Sequence, residues 1–261
     1  MMILDDIAAA TQLRVERLQK SKSLSSVRSE AEGLPESKRG FKARLARAGM
    51  NFITEVKKAS PSKGIIAREF DYLRIAGEYE AAGAAAISCL TEPQFFLGRD
   101  EYLQAISAAV HVPVLRKDFT ISEYQIYEAK TIGADAVLLI CALLETARIR
   151  EFLAIAASIG LEVLVEAHDA AEVEAALAAG AEIIGVNNRN LKDFSVDLQN
   201  SLQLRQLVPR DKIFVSESGI RTAEDVRQLQ QAGVNGVLIG ETLMRSENIT
   251  LELRRLAGEL K

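Results

Sequence analysis

The chain has 261 residues, 48% of them hydrophobic, and its 32 basic and 36 acidic side chains give a net charge of −4. This size and apolar content suit one large α/β domain, and the lack of a basic excess argues against a nucleic-acid-binding protein. The longest apolar run, residues 136–144, is too short to span a bilayer, and the first residues lack the apolar stretch of a signal peptide. We therefore expect a cytoplasmic protein with neither a membrane nor a nucleic-acid partner.

The first 48 residues precede a repeating pattern. Residues 3–22 have helical periodicity, and residues 23–47 predict a helix, a loop and a short helix, because Gly33, Pro35 and Gly40 interrupt them. No linker divides the chain. We expect one domain over 1–261, with residues 1–48 as a helical extension packed on residues 49–261.

From Asn51 onward, an amphipathic helix repeatedly ends in a small residue and a glycine, and a short apolar run follows. The glycines are Gly83, Gly133, Gly180 and Gly233. A helix C-terminus favours glycine because the residue there adopts a left-handed conformation. The apolar runs are typical of strands covered on both faces.

Eight strands and eight helices follow from this pattern. The predicted strands are 51–57, 85–90, 113–117, 135–141, 162–166, 182–187, 212–217 and 236–240. The predicted helices are 71–82, 100–109, 122–132, 145–159, 169–179, 199–207, 222–232 and 247–259. The alternation indicates an α/β fold with a parallel sheet closed into a (β/α)8 TIM barrel. The alternative is an open doubly wound sheet, but the glycine-rich turn typical of that fold is absent after the first strand.

Cysteine and histidine are scarce. Cys89 and Cys141 lie in separate apolar segments and are expected to be free, buried thiols, as in a reducing compartment. The two histidines, His111 and His168, are far apart in the sequence. No Cys/His cluster suggests a structural zinc site, and we expect no metal.

Charged and polar side chains stand where the predicted strands end. In a barrel of this kind the chemistry lies at the C-terminal ends of the strands. Because side chains alternate along a strand, Glu55 and Lys57 share a face, and Lys117 shares one with Phe119. Glu166 ends the fifth strand, and Asn187 and Arg189 end the sixth. Five of these groups are expected to converge at one mouth, where burial would shift pKa values toward acid/base work: Glu55, Lys57, Lys117, Glu166 and Asn187.

Three neighbouring charged residues, Lys58, Asp118 and His168, are expected to be ordinary solvated side chains. The last two strands end differently, in "SESGI" and "LIGETLM". Backbone N–H groups at such strand-to-helix turns form anion sites, and phosphate after strands seven and eight recurs in barrels. We predict a phosphate site at Ser218, Gly219, Gly240 and Glu241.

Seven segments together resemble one family. "FITEVKKASPSKG", "LTEPQFFLG", "VLRKDF", "VLVEAH", "GVNNRNL", "SESGI" and "LIGETLM" are similar, in order and spacing, to the strand ends of indole-3-glycerol-phosphate synthase. The resemblance covers essentially the whole chain and implies a monofunctional enzyme of tryptophan biosynthesis. Its reaction is ring closure, decarboxylation and dehydration of 1-(2-carboxyphenylamino)-1-deoxyribulose 5-phosphate. The resemblance also implies that no metal or organic cofactor is needed and that the chain is a monomer.

The resemblance implies a role for each catalytic candidate. Lys117 would be the general acid at the substrate ketone and Glu166 the general base of the dehydration. Glu55 and Asn187 would hold the reacting hydroxyl in a hydrogen-bond network. Lys57 would bind the substrate carboxylate or phosphate and could take part in proton transfer.

Binding roles follow in the same way. Phe96 and Phe119 would form the walls around the anthranilate ring, and Arg189 and Ser60 would contact the carboxylate. The phosphate would be held mainly by backbone N–H groups, with the Glu241 side chain turned away. The "ASPSKG" segment after the first strand is expected to be a mobile loop that closes over the site.

Three other interpretations remain open from the residues. One is an aldolase in which Lys57 or Lys117 forms a Schiff base. Another is a different tryptophan- or histidine-pathway barrel that shares the phosphate site. The third is a non-catalytic binding or scaffold barrel, although converging acid and base groups are hard to explain there.

Overall fold

The computed structural model describes residues 3–37, 39–67, 69–190 and 193–260. Eight parallel strands pair in sequence order, and the last strand pairs with the first, so the sheet is a closed barrel. The barrel strands are β1 (Asn51–Val56), β2 (Ala86–Leu90), β3 (Val114–Lys117), β4 (Ala136–Ile140), β5 (Glu162–Ala167), β6 (Ile183–Asn187), β7 (Ile213–Glu217) and β8 (Gly236–Ile239). The predicted TIM barrel is confirmed, and the open doubly wound sheet is wrong.

Helices surround the barrel and precede it. They are α1 (Ile3–Ser21), α2 (Leu24–Gly33), α3 (Phe41–Leu45), α4 (Tyr72–Ala81), α5 (Asp100–Ala109), α6 (Glu123–Thr131), α7 (Thr146–Ser158), α8 (Ala170–Ala179), α9 (Gln199–Leu204), α10 (Ala223–Ala232), α11 (Glu241–Met244) and α12 (Ile249–Leu256). The predicted helix 199–207 is α9 continued by a 3-10 turn, and the short α11 was not predicted.

The predicted helix-to-strand joints have the backbone that the glycines suggested. Gly83, Gly133, Gly180 and Gly233 have φ values between 85° and 96°, which side-chain-bearing residues rarely adopt. Gly180 and Gly233 directly follow the last residues of α8 and α10. The turn from helix to strand at these joints is therefore set by local chemistry.

Apolar side chains form two layers. The outer layer lies between strands and helices, and the inner layer fills the barrel with residues such as Ile53, Leu115 and Leu164. Phe41 and Leu45 of α3 belong to the inner cluster and are fully buried. Since α3 immediately precedes β1, these side chains close the barrel at the N-terminal ends of the strands, and the opposite end is left as the mouth.

The N-terminal extension reaches both ends of the barrel. Its helix–loop–helix part, α2 and α3, is as predicted. The α1 and α2 helices pack against α6. Arg14 of α1 donates to Asp118, just beyond β3, at 2.7 Å. The α1 helix is therefore bonded to the mouth of the barrel, whereas α3 lies at the N-terminal ends of the strands.

Both cysteines are free thiols. Cys89 is buried in β2, as predicted, but Cys141 is only half-buried. It lies one residue beyond β4, in a 3-10 turn at the barrel mouth, so the prediction of full burial is wrong there. Within the described residues, no helix combines the length and the apolar character needed to cross a membrane.

Candidate active site at the barrel mouth

The C-terminal ends of the strands open into a cavity of about 430 Å³. The thirteen residues predicted to form a site all line it: Glu55, Lys57, Ser60, Phe96, Lys117, Phe119, Glu166, Asn187, Arg189, Ser218, Gly219, Gly240 and Glu241. The alternation argument was therefore in the right phase for Glu55 and Lys57 and for Lys117 and Phe119. A cavity of this kind suits a small organic ligand.

Lys117 is the electrostatic centre of the cavity. Its Nζ donates to Glu166 Oε2 at 2.6 Å and to Glu217 Oε2 at 3.0 Å. Asn187 Nδ2 donates to the other oxygen of Glu166 at 3.2 Å, and Lys57 is ion-paired with Glu55. Two ammonium groups and three carboxylates thus face one another at the mouth.

The charges of Lys117 and Glu166 reinforce each other. Burial disfavours the ammonium, but the carboxylates of Glu166, Glu217 and Glu55 outweigh it and raise the pKa of Lys117. Burial likewise disfavours ionisation of Glu166, but Lys117 and His168 outweigh it and hold the pKa of that carboxyl well below its usual range. Glu166 is therefore a carboxylate and Lys117 an ammonium at neutral pH.

Glu217 is a site residue that the sequence analysis missed. It is 1% exposed, and burial is the main cause that raises its pKa to about 7, with Lys117 opposing and Glu166 adding to the rise. A Cβ on Gly185 would lie 2.2 Å from Glu217 Oε1, so this glycine makes room for the carboxylate. The sequence did contain a signal for this residue. Glu217 is an acidic residue at the end of β7, just as Glu166 is an acidic residue near the end of β5.

Two residues expected to be solvated are buried instead. Asp118 is 2% exposed and accepts from Arg14 and from Thr91 Oγ1, because it faces the α1 side of β3 and not solvent. His168 is largely buried, with its ring between Glu166 and Glu172. Lys58 is half-buried. The expectation failed for Asp118 because α1, distant in sequence, covers it, and for His168 because its ring lies between two nearby carboxylates.

Phe96 and Phe119 face each other across one side of the cavity. Their ring centroids are 5.8 Å apart and the ring planes are inclined by 37°. The carboxylate of Glu92, which is buried, accepts hydrogen bonds from the backbone N–H groups of Gln94, Phe95 and Phe96 at 2.7–3.0 Å. The segment that carries Phe96 is therefore fixed by a single acidic side chain.

The ends of β7 and β8 have unusual backbone geometry. Ser218 and Gly219 have φ values of 67° and 85°, both in the left-handed region. A Cβ on Gly240 would lie 2.4 Å from Glu55 Oε2 and 3.1 Å from Lys57 Nζ. Only glycine allows β8 to end so close to the charged pair, and α11 begins at the next residue.

The side chain of Glu241 is surrounded by cations. Its carboxylate oxygens lie 3.3 Å from Arg245 Nε, 3.5 Å from Lys63 Nζ and 3.9 Å from Arg189 Nη2. Arg221 and Arg245 also line this end of the cavity. The negative charge of Glu241 is thus compensated, and the local balance at the ends of β7 and β8 is cationic.

The segment after β1 covers part of the cavity. Ala59–Ser60 and Gly64–Ile65 pair as a short antiparallel hairpin, and Ser60, Pro61 and Ser62 line the cavity. Its predicted place over the mouth is confirmed, and its motion stays a prediction. Ile3, Leu4 and Ile7 of α1 also line the cavity, and no local pattern in the chain predicts this contact.

Comparison with solved structures supports the fold. A 3-hexulose-6-phosphate synthase from Salmonella typhimurium superposes with a TM-score of 0.65 at 15% identity, over 80% of this chain and 97% of that chain. A thiamine phosphate pyrophosphorylase from Pyrococcus furiosus gives 0.60 at 18% identity, over 80% and 96%. At these identities the similarity concerns the barrel alone.

Comparison with protein families is specific. The family described as "Indole-3-glycerol phosphate synthase" matches residues 4–256. Two proteins with that description, from Ruminiclostridium cellulolyticum and Endomicrobium trichonymphae, are each 58% identical over 258 residues, covering 98% of this chain and 99% of theirs. The chain therefore belongs to the indole-3-glycerol phosphate synthase family.

Proposed function

We propose that Lys117, Glu166 and their neighbours perform the proton transfers of the family's reaction inside the cavity at the barrel mouth. The chain is an indole-3-glycerol phosphate synthase of tryptophan biosynthesis and a carboxy-lyase. It converts 1-(2-carboxyphenylamino)-1-deoxyribulose 5-phosphate into indole-3-glycerol phosphate, carbon dioxide and water. The observation that carries our assignment is the Lys117 ammonium, held between Glu166 and Glu217 within 3.0 Å of each.

Lys117 acts as the general acid of ring closure. The ring carbon that bears the carboxylate attacks the ketone, and negative charge develops on the ketone oxygen. An ammonium group at that oxygen stabilises the charge and donates a proton. The support for Lys117 is its position at the end of β3, facing the cavity and held charged by surrounding carboxylates. Carbon dioxide then leaves and restores the electron pair to the ring.

Glu166 acts as the general base of the dehydration. It accepts the proton whose removal forms the last double bond, while the hydroxyl at the former ketone carbon takes a proton from the Lys57 ammonium and leaves as water. Its support is a carboxylate kept ionised by Lys117 and oriented by Asn187. Glu55 and Asn187 hold the departing hydroxyl, and the buried carboxyl of Glu217 modulates the charge of Lys117.

The remaining candidates bind the substrate. Phe96 and Phe119 hold the aromatic ring, and Lys57, Arg189 and Ser60 hold the carboxylate before it leaves. Backbone N–H groups of Gly219 and of the start of α11 at Glu241, next to Ser218 and Gly240, bind the phosphate. The supporting observations are the cavity lining and the cations Arg221 and Arg245 at that end. The hairpin at Ser60 closes over the bound substrate.

The charge state of Lys117 argues against the aldolase alternative. A Schiff base requires a neutral amine, which enzymes obtain by lowering the pKa of a lysine. The carboxylates around Lys117 have the opposite effect and raise its pKa. We therefore expect borohydride with a keto-sugar phosphate to leave the protein unmodified.

A continuous assay of indole fluorescence with purified protein and the carboxyphenylamino substrate tests the assignment. We expect turnover without added metal and its near-complete loss in both Lys117→Ala and Glu166→Gln. Lys212→Ala and Glu182→Gln are matched controls, because that ion pair lies at the opposite end of the barrel. Activity that survives in either site variant contradicts its role, and an inactive wild-type protein contradicts the whole proposal.

We also infer one domain over 1–261, a monomer, a cytoplasmic location and activity without a cofactor. Free cysteines and the balanced surface charge support the location. Among the described residues, no group of three or more His, Cys, Asp or Glu side chains is arranged to hold a metal ion. Light scattering after size-exclusion chromatography tests the monomer, and an assay in chelator tests independence from metal.

A further inference from the structure

His168 lies between two carboxylates at the start of the loop after β5. Its Nε2 is 3.3 Å from Glu166 Oε1, and its Nδ1 is 3.0 Å from Glu172 Oε2 in the first turn of α8. The side chain is 15% exposed. The ring therefore connects the candidate base to an acidic residue that does not line the cavity.

The two flanking carboxylates favour a charged ring. A neutral imidazole has one N–H group, whereas an imidazolium has two and can face a carboxylate on each side. Burial disfavours that charge, but Glu166 and Glu172 outweigh it and raise the pKa of His168 to about 10. His168 is thus a cation throughout the neutral range.

The backbone of His168 is also held, by residues that do not line the cavity. The backbone N–H of His168 donates to Glu172 Oε2 at 2.7 Å, and Asn200 Nδ2 donates to its carbonyl oxygen at 3.0 Å. Asp169 accepts from the backbone N–H of Glu172 at 2.9 Å, which caps α8. Together these bonds fix the position of Glu172 and, through it, the direction of the imidazole.

We propose that His168, held by Glu172, is a positioning residue that keeps the Glu166 carboxylate aimed into the cavity and ionised until it accepts its proton in the dehydration. The inference rests on the proposed role of Glu166. Among the described residues, Lys117 and His168 are the two cations in contact with that carboxylate. When Lys117 gives its proton to the substrate, its positive charge next to Glu166 disappears. His168 does not take part in that transfer, so its charge remains and opposes protonation of Glu166.

The other charged groups around Glu166 define what His168 must balance. Lys117 comes from β3, Glu217 from β7, and the Glu55–Lys57 pair from β1, while Asn187 of β6 is neutral. Glu217 also contacts Lys117, and because its pKa is raised to about 7 it is only partly ionised at neutral pH. Once Lys117 is neutral, His168 is the cation among the described residues that still contacts Glu166.

The charge of His168 can be measured directly, since the chain contains two histidines. We expect the NMR signals of the His168 ring to be those of an imidazolium at pH 7.5, and Glu172→Gln to lower the pH at which the ring loses its proton. His111→Gln removes the other histidine and assigns the signals. A His168 ring that is neutral at pH 7.5 in the wild-type protein overturns the inference.

Kinetics test the consequence for Glu166. We expect His168→Gln to lower kcat at pH 7 about tenfold for each unit by which the pKa of Glu166 rises above the assay pH, with KM changed less. The acidic limb of the kcat profile should move to higher pH in His168→Gln and, by a smaller amount, in Glu172→Gln. His111→Gln is the matched control, because His111 pairs with Glu80 and is 93% exposed.

The outcomes separate this inference from the assignments on which it rests. Loss of kcat with an unmoved acidic limb means that His168 has only a structural role and overturns the inference. Wild-type kinetics in His168→Gln overturn it as well. Full activity of Glu166→Gln would instead contradict the role of the base, and an inactive wild-type protein would contradict the proposed function.

Discussion

At the scale of single residues, two carboxyl groups on either side of Lys117 differ in their protonation. Lys117 contacts both Glu166 and Glu217, yet the pKa of Glu166 is lowered and that of Glu217 is raised to about 7. The difference arises because Glu166 also has His168 beside it, whereas Glu217 is buried next to Glu166. One ammonium group therefore stabilises one carboxylate fully and the other only in part.

Glu217→Gln should make the protein more stable at alkaline pH and less active. A carboxyl group whose folded pKa is raised contributes stability below its unfolded pKa, about 4.3, and loses that contribution as the pH rises through the folded value of about 7. The glutamine amide has no charge to bury. The thermal midpoint of the variant, relative to that of the wild-type protein, should therefore be higher at pH 8 than at pH 5. If the difference in thermal midpoint between the variant and the wild-type protein were the same at both pH values, a buried Glu217 carboxyl with a raised pKa would be contradicted.

Gly240→Ala should reduce kcat/KM by about tenfold or more while the barrel stays folded. The new Cβ would lie 2.4 Å from Glu55 Oε2 and 3.1 Å from Glu55 Cβ, so the carboxylate and its partner Lys57 must move. Misplacement of site groups by about 1 Å can cost about a hundredfold in rate. Gly77→Ala is the control, because this residue lies within α4 with nothing within 4 Å and should be neutral or stabilising by up to about 1 kcal/mol. Equal kinetics in the two variants would contradict the expectation.

At the scale of elements, α1 is a part of the site that no local pattern revealed. Its amphipathic character predicted a helix and a packed face, but not which part of the barrel that face covers. The ion pair between Arg14 and Asp118 and the contacts of Ile3, Leu4 and Ile7 with the cavity place it at the mouth. Asp118 follows Lys117 directly, so α1 and the candidate acid share a strand end.

Arg14→Ala should lower stability by about 1–3 kcal/mol and raise KM more than it lowers kcat. Asp118 is buried, and among the described residues its remaining side-chain partners once Arg14 is removed are Arg116, 3.5 Å away, and Thr91. The looser α1 should weaken the apolar wall of the cavity without moving Lys117. Urea unfolding and steady-state kinetics measure the two effects, with Arg17→Ala, an exposed arginine of α1, as the control.

The contribution of this ion pair should depend on pH. Arg14 and Arg116 outweigh burial and hold the pKa of Asp118 below its usual range. The stabilisation is therefore present above the unfolded pKa of about 3.9 and is lost as the pH falls through the lower folded value. The difference between wild type and Arg14→Ala should shrink on acidification, and a constant difference would contradict the pair.

At the scale of the whole molecule, the two ends of the barrel have separate tasks. The N-terminal ends of the strands are closed by Phe41 and Leu45, which are fully buried in the inner core. The C-terminal ends hold the charged groups and the cavity. The closed N-terminal end of the barrel contributes stability, and the C-terminal end carries the buried charges of the site, as is general for barrel enzymes.

Phe41→Ala should therefore destabilise the protein by about 3–5 kcal/mol and leave kcat nearly unchanged at temperatures where it stays folded. The side chain is 0% exposed and lies at the end of the barrel opposite the site. Leu34→Ala, at a residue 40% exposed in the same extension, is the control and should have a small effect. A large loss of kcat in folded Phe41→Ala protein would contradict the separation of the two ends.

Much of this arrangement could be predicted from the sequence. Helix ends marked by glycine and apolar runs between them are local signals, so the predicted barrel strands begin and end within one residue of those observed. Alternation along a strand is also local, which is why the predicted faces of Glu55, Lys57 and Lys117 agree with the cavity lining. Glu217 could have been found by the same argument, applied one strand further.

The eightfold repeat, the strand ends that bear chemistry and the family resemblance could all be predicted from the sequence, because each rests on residues close together within short segments. Which of these residues pair across the mouth depends on the folded barrel: Glu217 pairs with Lys117, and Arg14 with Asp118. The physical reason is that barrel closure and the docking of α1 join residues up to about a hundred positions apart. Burial and charge at those contacts, and hence the pKa of each group, are properties of the assembled mouth and not of any segment.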